Sequence, residues 1–127
     1  MKIVLDTHIL LWAAAAQLSE ARKELLEDPH HETFVSAISL WEITKLFELK
    51  RIQLEEGLKK FLTTIENHPR FTIVPLTATI LADIPHLGAT MGRDPADQIV
   101  VATARKLEAR LMTDDQSIRK SGLVKTI

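Results

Sequence analysis

The seven residues Met1-Lys2-Ile3-Val4-Leu5-Asp6-Thr7 constrain the fold of this chain more than any other stretch. The apolar run is too short and too uniform for an amphipathic surface element. Residues 3–5 therefore read as a strand buried on both faces, the pattern of a parallel sheet. Asp6 then stands at the carboxyl end of that strand, and in open parallel sheets ligands collect just beyond those ends.

The rest of the chain repeats this alternation. Ile9 to Trp12 and the four alanines after them predict a helix capped by Asp6 or Thr7. Ser19 opens a second helix over 20–27, closed by Asp28-Pro29, and residues 33–36 form a second strand. Ser36 or Ser39 caps a helix over 38–49. Another covers 55–67, with Leu58, Phe61, Leu62 and Ile65 at helical spacing, so that the two make an amphipathic pair. Residues 71–76 read as a third strand, 77–87 as a helix and 88–93 as a loop. Asp94-Pro95 opens a helix to about 108, with proline at the first position, where its missing N–H costs nothing. Residues 111–113 give a fourth strand and 123–127 a short fifth. The expectation is one α/β domain over 1–127, a parallel sheet of four to five strands with helices on both faces.

Composition narrows the chemistry. A net charge of −1, from 16 basic and 17 acidic residues, gives no overall attraction to nucleic acid or anionic membrane, so an anionic substrate must be drawn locally. The absence of cysteine removes disulfides, thiolate nucleophiles and thiolate zinc sites. No stretch approaches the roughly 18 apolar residues of a membrane helix, and the start lacks the features of a secretion signal, so a soluble cytoplasmic protein is expected. Gly88-Ala89-Thr90-Met91-Gly92 is not a phosphate-binding GxxxxGK[ST] loop, which argues against nucleotide-triphosphate hydrolysis. A phosphoaspartate phosphatase would want an aspartate at the position of His8, and a receiver domain would want paired acids near strand one. The five histidines lack metal-ligand spacing, apart from the adjacent pair His30-His31, and read as structural or surface residues.

Four separate segments instead place carboxylates where strands end or helices begin. Asp6 is either a helix cap or a site residue. Glu42 falls between Ile38, Leu46 and Leu49 on the side of Ser39; it is paired with Lys45, protonated or bound to a cation, because an unpaired buried charge costs too much. In Asp94-Pro95-Ala96-Asp97, Asp94 fits the cap, and Asp97 lies along the stripe of Val100, Val101 and Ala104 and is favoured as the ligand. Asp114 and Asp115 follow strand four beside the Thr113 hydroxyl, and one of them caps a turn through 116–118. Two carboxylates ~4 Å apart repel by about 4 kcal/mol at an effective dielectric near 20. Such a cluster needs raised pKa values or a hard divalent cation, and oxygen ligands suit Mg²⁺ or Mn²⁺ better than zinc.

Asp6-Thr7 with Leu10-Leu11-Trp12, then Ser39-Leu40-Trp41-Glu42-Ile43, then Arg93-Asp94-Pro95-Ala96-Asp97-Gln98 running into Ala102-Thr103-Ala104, then Thr113-Asp114-Asp115, resemble the PIN domain. More narrowly they resemble the VapC toxins of bacterial type II toxin–antitoxin systems, over essentially the whole chain and in motif order. The resemblance implies a parallel sheet flanked by helices and an acidic cluster that binds Mg²⁺ or Mn²⁺ and cleaves RNA. Carried onto this sequence, it implies metal ligation by Asp6 and Asp97, with Glu42 and Asp115 completing the cluster and Asp94 following a subgroup pattern. Thr7, Ser39 and Thr113 would orient carboxylates or water. Gln98 stands where many relatives carry Arg or Ala.

The resemblance also implies a homodimer and a cognate VapB-like antitoxin that represses its operon and blocks the nuclease. The helical pair over 38–67 offers apolar surface for such a partner through Trp41, Phe47, Leu49, Ile52, Leu58 and Phe61, or else packs on the domain's own sheet. Lys45, Lys50, Arg51, Arg93 and Arg119 are candidate phosphate contacts. A metal-dependent ribonuclease toxin is the leading expectation. A non-catalytic binding module and a housekeeping RNA-processing nuclease are the alternatives.

Overall fold

In a computed structural model describing residues 1–88 and 91–127, the chain alternates strand and helix as its pattern predicts. In order these are β1 (Lys2–Leu5), α1 (Thr7–Ala14), α2 (Glu20–Glu27), β2 (Glu32–Ser36), α3 (Ala37–Glu48) and α4 (Leu58–Glu66). There follow β3 (Phe71–Val74), α5 (Ala78–Leu81), a 3-10 turn (Ile84–His86), α6 (Pro95–Leu107), β4 (Arg110–Met112) and α7 (Gln116–Ser121). The strands form one sheet in the order β3-β2-β1-β4, with every pairing parallel. Of the loop expected over 88–93, Ala89 and Thr90 lie outside the described residues.

Strand β1 occupies the centre because each of its apolar residues has a core to enter. Ile3 and Leu5 pack on one face with Ile9, Leu10, Ile43, Phe61, Ile65 and Met112. Val4 points to the other face, among Leu111, Val100, Val101, Ala104 and Ile118. All three residues are fully buried, which accounts for an unbroken apolar run rather than an alternating one. The order of strands reverses between β1 and β4, and Leu5 pairs with Met112 across that junction. Asp6 and Thr113 therefore leave the sheet side by side at its switch point, where an open parallel sheet forms its crevice.

Several boundaries depart from expectation for local reasons. Strand β3 stops at Val74 because Pro75 has no N–H for a ladder. The helix expected over 77–87 divides into α5 and the 3-10 turn, with Pro85 denying the continuing helix a donor. Helix α4 begins only at Leu58, since Gly57 at φ +87° is outside helical space. The fifth strand expected over 123–127 reduces to one parallel bridge, Leu111 to Thr126. Strand β4 spans only three residues, and that segment bonds to it at Leu111, with one further bond from Thr113 N to Ile127 O at 3.3 Å.

The amphipathic pair α3 and α4 largely meets the domain's own core. Phe61 and Ile65 are buried there, with Leu58 and Ile52 packed against them, whereas Trp41 is 54% and Leu49 57% exposed. Replacing a fully buried β1 side chain leaves a cavity that the surrounding layers cannot close. Leu5→Ala should therefore lower the free energy of unfolding by about 2–5 kcal/mol in urea titration. A loss close to zero would contradict the central placement of β1.

Candidate active site

The carboxyl edge of the sheet gathers helix N-termini, and three of their caps are aspartates: Asp6 for α1, Asp94 for α6 and Asp115 for α7. Ser36 caps α3, rather than Ser39. Each capping aspartate uses Oδ1 for its helix. Asp6 Oδ1 accepts from Thr7 N at 2.8 Å; Asp94 Oδ1 accepts from Ala96 N at 2.9 Å and Asp97 N at 3.4 Å. Asp115 Oδ1 accepts from Ile118 N at 3.0 Å and Ser117 Oγ at 2.7 Å. In Asp94 and Asp115 the second oxygen takes no part in these bonds, so a carboxylate can cap its helix and still face the crevice.

Asp6 is the most enclosed of the three, at 6% exposure. Its Oδ2 accepts from the Thr113 hydroxyl at 2.6 Å, and the same Thr113 oxygen accepts from Asp115 N at 3.0 Å. One buried threonine thus joins the acid that follows β1 to the acid that follows β4. On the other side, the buried Thr7 hydroxyl donates to Ser39 Oγ at 2.9 Å and stands within hydrogen-bonding reach of Glu42. Thr7, Ser39 and Thr113 are all fully buried, as polar groups holding a site in place must be when each is hydrogen-bonded.

Glu42, Asp94 and Asp97 each turn a carboxylate oxygen into one space, with the three oxygens within 4.8 Å of one another. Asp97 sits at the third position of α6, facing the cluster rather than completing a reciprocal capping box. Burial raises its pKa first, and the charges of Asp94, Asp6, Asp115 and Glu42 push it further, to about 7. Glu42 is raised by burial, with Asp6 and Asp94 adding to the effect and Thr7 and His8 opposing it. Lys45 does not relieve Glu42, because its Nζ pairs with Glu48. Asp115 is held low, chiefly by the Ser117 hydroxyl, and stays charged. The donor set fits a hard divalent cation: it is all oxygen and crowded, and Lys45 is engaged elsewhere.

A protein-family description of the PIN domain matches residues 3–122, which span the sheet and all five of these acids. The chain belongs to the PIN-domain family. It is 34% identical over 119 residues to ribonuclease VapC22 of Mycobacterium tuberculosis (strain ATCC 25618 / H37Rv), covering 92% of this chain and 89% of that protein. The crystal structure of VapBC2 from Rickettsia felis, bound to a promoter DNA fragment, superposes with a TM-score of 0.76 at 16% identity, covering 100% of this chain and 98% of that one. A toxin–antitoxin complex from Klebsiella pneumoniae gives 0.64 at 21% identity, covering 96% and 94%.

Within this PIN domain the two adjacent acids after β4 take different directions. Asp114 pairs with Arg22 at 2.7 Å, which lowers its pKa, while Asp115 turns its charge on Asp97. Among the basic residues singled out from sequence, Arg119 donates to backbone carbonyls and Lys45 is paired; Lys50, Arg51 and Arg93 are exposed. Gln98 Nε2 donates to Gly92 O at 3.4 Å. Two residues with site contacts escape sequence reasoning. His8 is close enough for its charge to act on both Glu42 and Asp115, and it packs edge-on against Trp12. Its position two residues after Asp6, one helical step into α1, is the signal that could have marked it. Arg22 carries no such signal.

The raised pKa of Asp97 has a stability consequence of definite sign. The folded carboxyl ionises near pH 7 and the unfolded one near 3.8, so its stabilising contribution is complete below about 4 and is lost as pH rises through about 7. In chelator, Asp97→Asn should therefore raise the melting temperature at pH 8 more than at pH 5. An equal change at both pH values would contradict the crowding of these acids.

Proposed function

We propose that this protein is a Mg²⁺- or Mn²⁺-dependent endoribonuclease, the toxin of a type II toxin–antitoxin system, acting as one PIN domain over residues 1–127. The convergence of the Glu42, Asp94 and Asp97 oxygens within 4.8 Å carries the proposal, supported by 34% identity to a ribonuclease of the VapC type. Glu42, Asp94 and Asp97 would hold the cation, with Asp6 and Asp115 completing the acid ring. A divalent cation bound there supplies the charge that polarises a phosphodiester and an attacking water. Thr113 keeps Asp6 in one orientation, and Thr7 with Ser39 does the same beside Glu42. Burial and neighbouring charge raise the pKa values of Asp97 and Glu42, so these are the acids whose ionised form a bound cation would most favour.

Removing an acid of the ring should cost more than the ~10–100-fold that loss of an outer hydrogen-bond partner costs at a metal site. The decisive assay is cleavage of a cellular RNA pool by antitoxin-free protein in Mn²⁺, in Mg²⁺ and in chelator. Metal-dependent cutting, absent from Asp6→Asn and Asp97→Asn, is the expected outcome. Folded wild-type protein that cuts nothing in either metal would leave a PIN fold that acts through binding alone.

Two partners follow from the same reading. A groove of ≈ 690 Å³ between α1, α2 and α4, lined by Leu10, Ala14, Leu18, Leu26, Phe61 and Ile65, is suited to an apolar segment of a VapB-like antitoxin. The likeness to solved toxin–antitoxin complexes supports an antitoxin partner. The exposed Trp41 and Leu49 on or next to α3 are suited to a second copy of the chain. Light scattering should show a dimer for wild-type protein and a monomer for Trp41→Glu; an unchanged mass would remove α3 from the interface. Among the described residues no helix is long and apolar enough to cross a membrane.

A further inference from the structure

We infer that Arg22 and Arg119 are positioning residues for the acid ring, acting together through the carbonyl of Thr113; the inference rests on the nuclease reading above. Helix α2 contributes no fully buried side chain, yet its Arg22 reaches 91 residues along the sequence to the end of β4. There Nη2 meets Thr113 O at 3.2 Å, Asp114 Oδ1 at 2.7 Å and Ile127 O at 3.2 Å. Its side chain is only 18% exposed, so this charge has been taken largely out of water and given partners. From the opposite side, Arg119 on α7 donates from Nη1 to Thr113 O at 3.0 Å and Ile127 O at 3.4 Å. Two guanidinium groups therefore converge on the same two main-chain oxygens.

Thr113 is the residue at which such a clamp matters. It lies beyond the last residue of β4, and its N–H makes a single long bond, 3.3 Å, to Ile127 O. The sheet ladder ends with that bond, whereas the Thr113 side chain must deliver its hydroxyl to Asp6 Oδ2 and receive Asp115 N. With the carbonyl held from both sides by one nitrogen of each guanidinium, the hydroxyl is aimed and Asp115 is presented to the ring. Asp114 then serves as the counter-ion of Arg22, which explains why two acids follow one another while only Asp115 acts on Asp97. Planar guanidinium groups suit this work because each presents several donors in a rigid geometry that lysine lacks.

The test compares Arg22→Gln, Arg119→Gln and Arg22→Lys with Arg70→Gln. Arg70 makes the same kind of contact, to Leu26 O and Asp28 O, but ties α2 to the neighbourhood of β3, away from the acids. Mn²⁺ affinity is read by calorimetry, and kcat and KM by RNA cleavage. Arg22→Gln and Arg119→Gln should each weaken Mn²⁺ binding and lower kcat by about 10–100-fold with KM unchanged, the usual cost of an outer partner at a metal site. Arg22→Lys should fall between, and it keeps the proposal testable if the glutamine variant does not fold. Arg70→Gln should lose stability alone. In a Thr113→Val background the Arg22→Gln effect on Mn²⁺ affinity should vanish, as it must if Arg22 acts through Thr113. Arg22 variants that lose melting temperature as Arg70→Gln does, with Mn²⁺ affinity and kcat intact, would overturn the inference. Wild-type protein that binds Mn²⁺ but cuts no RNA would sink the nuclease reading and leave the clamp to be judged on Mn²⁺ affinity; protein that binds no Mn²⁺ would sink both.

Discussion

Five carboxylates share the carboxyl edge of one small parallel sheet, and their mutual repulsion sets the terms on which the rest of the molecule is built. Asp97 feels the other four and ionises only near pH 7, because burial and neighbouring charge both oppose it. Such a group is a liability to a fold that has no cation for it. The molecule answers with dipoles and hydrogen bonds: helix N-termini at Asp6, Asp94 and Asp115, and buried hydroxyls at Thr7, Ser39 and Thr113. What remains uncompensated is concentrated at Glu42 and Asp97, where a divalent ion would finish the neutralisation.

This arrangement dissolves a choice that looks sharp in the sequence. An aspartate opening a helix invites reading as a cap, and a cap invites dismissal as a site. A carboxylate has two oxygens, however, and Asp94 and Asp115 each spend one on backbone N–H groups and keep the other. Capping fixes the side-chain rotamer as firmly as any supporting hydrogen bond would. The helix start thus both pre-organises the acid and partly offsets its charge. Asp6 carries the idea furthest, with one oxygen on Thr7 N and the other on the Thr113 hydroxyl.

The strands and most helices were legible because their signals are local: the apolar run at 3–5, the Asp-Pro opening of α6, the serine caps of α2 and α3. The acids were legible as a set for the same reason, since strand ends and helix starts mark one edge of a parallel sheet. What escaped depends on distance in sequence. Arg22 meets Thr113 across 91 residues, and nothing near Arg22 announces it. Lys45 stands three residues from both Glu42 and Glu48, and only the packing of α3 decides that it joins the second. Arg119 reads as a candidate phosphate contact, yet the main-chain oxygens of Thr113 and Ile127 take it up. The short bridge at Thr126, in place of a fifth strand, likewise follows from the length of β4 rather than from the residues at 123–127.

A fold that departs from local rules does so where function asks it to. Here the departures cluster tightly: a glutamate within an apolar helix stripe, an aspartate raised to about 7, and a strand end held by two arginines. The two cores on either side of β1 are ordinary by comparison, filled by aliphatic side chains that need nothing but volume. That contrast locates the chemistry as firmly as any single distance does. Stability resides in β1 and its two apolar layers, and the edge that β1 ends on is loaded with a charge the layers must carry. The same strand therefore anchors the protein and presents, one residue beyond its last buried leucine, the aspartate on which the ring depends.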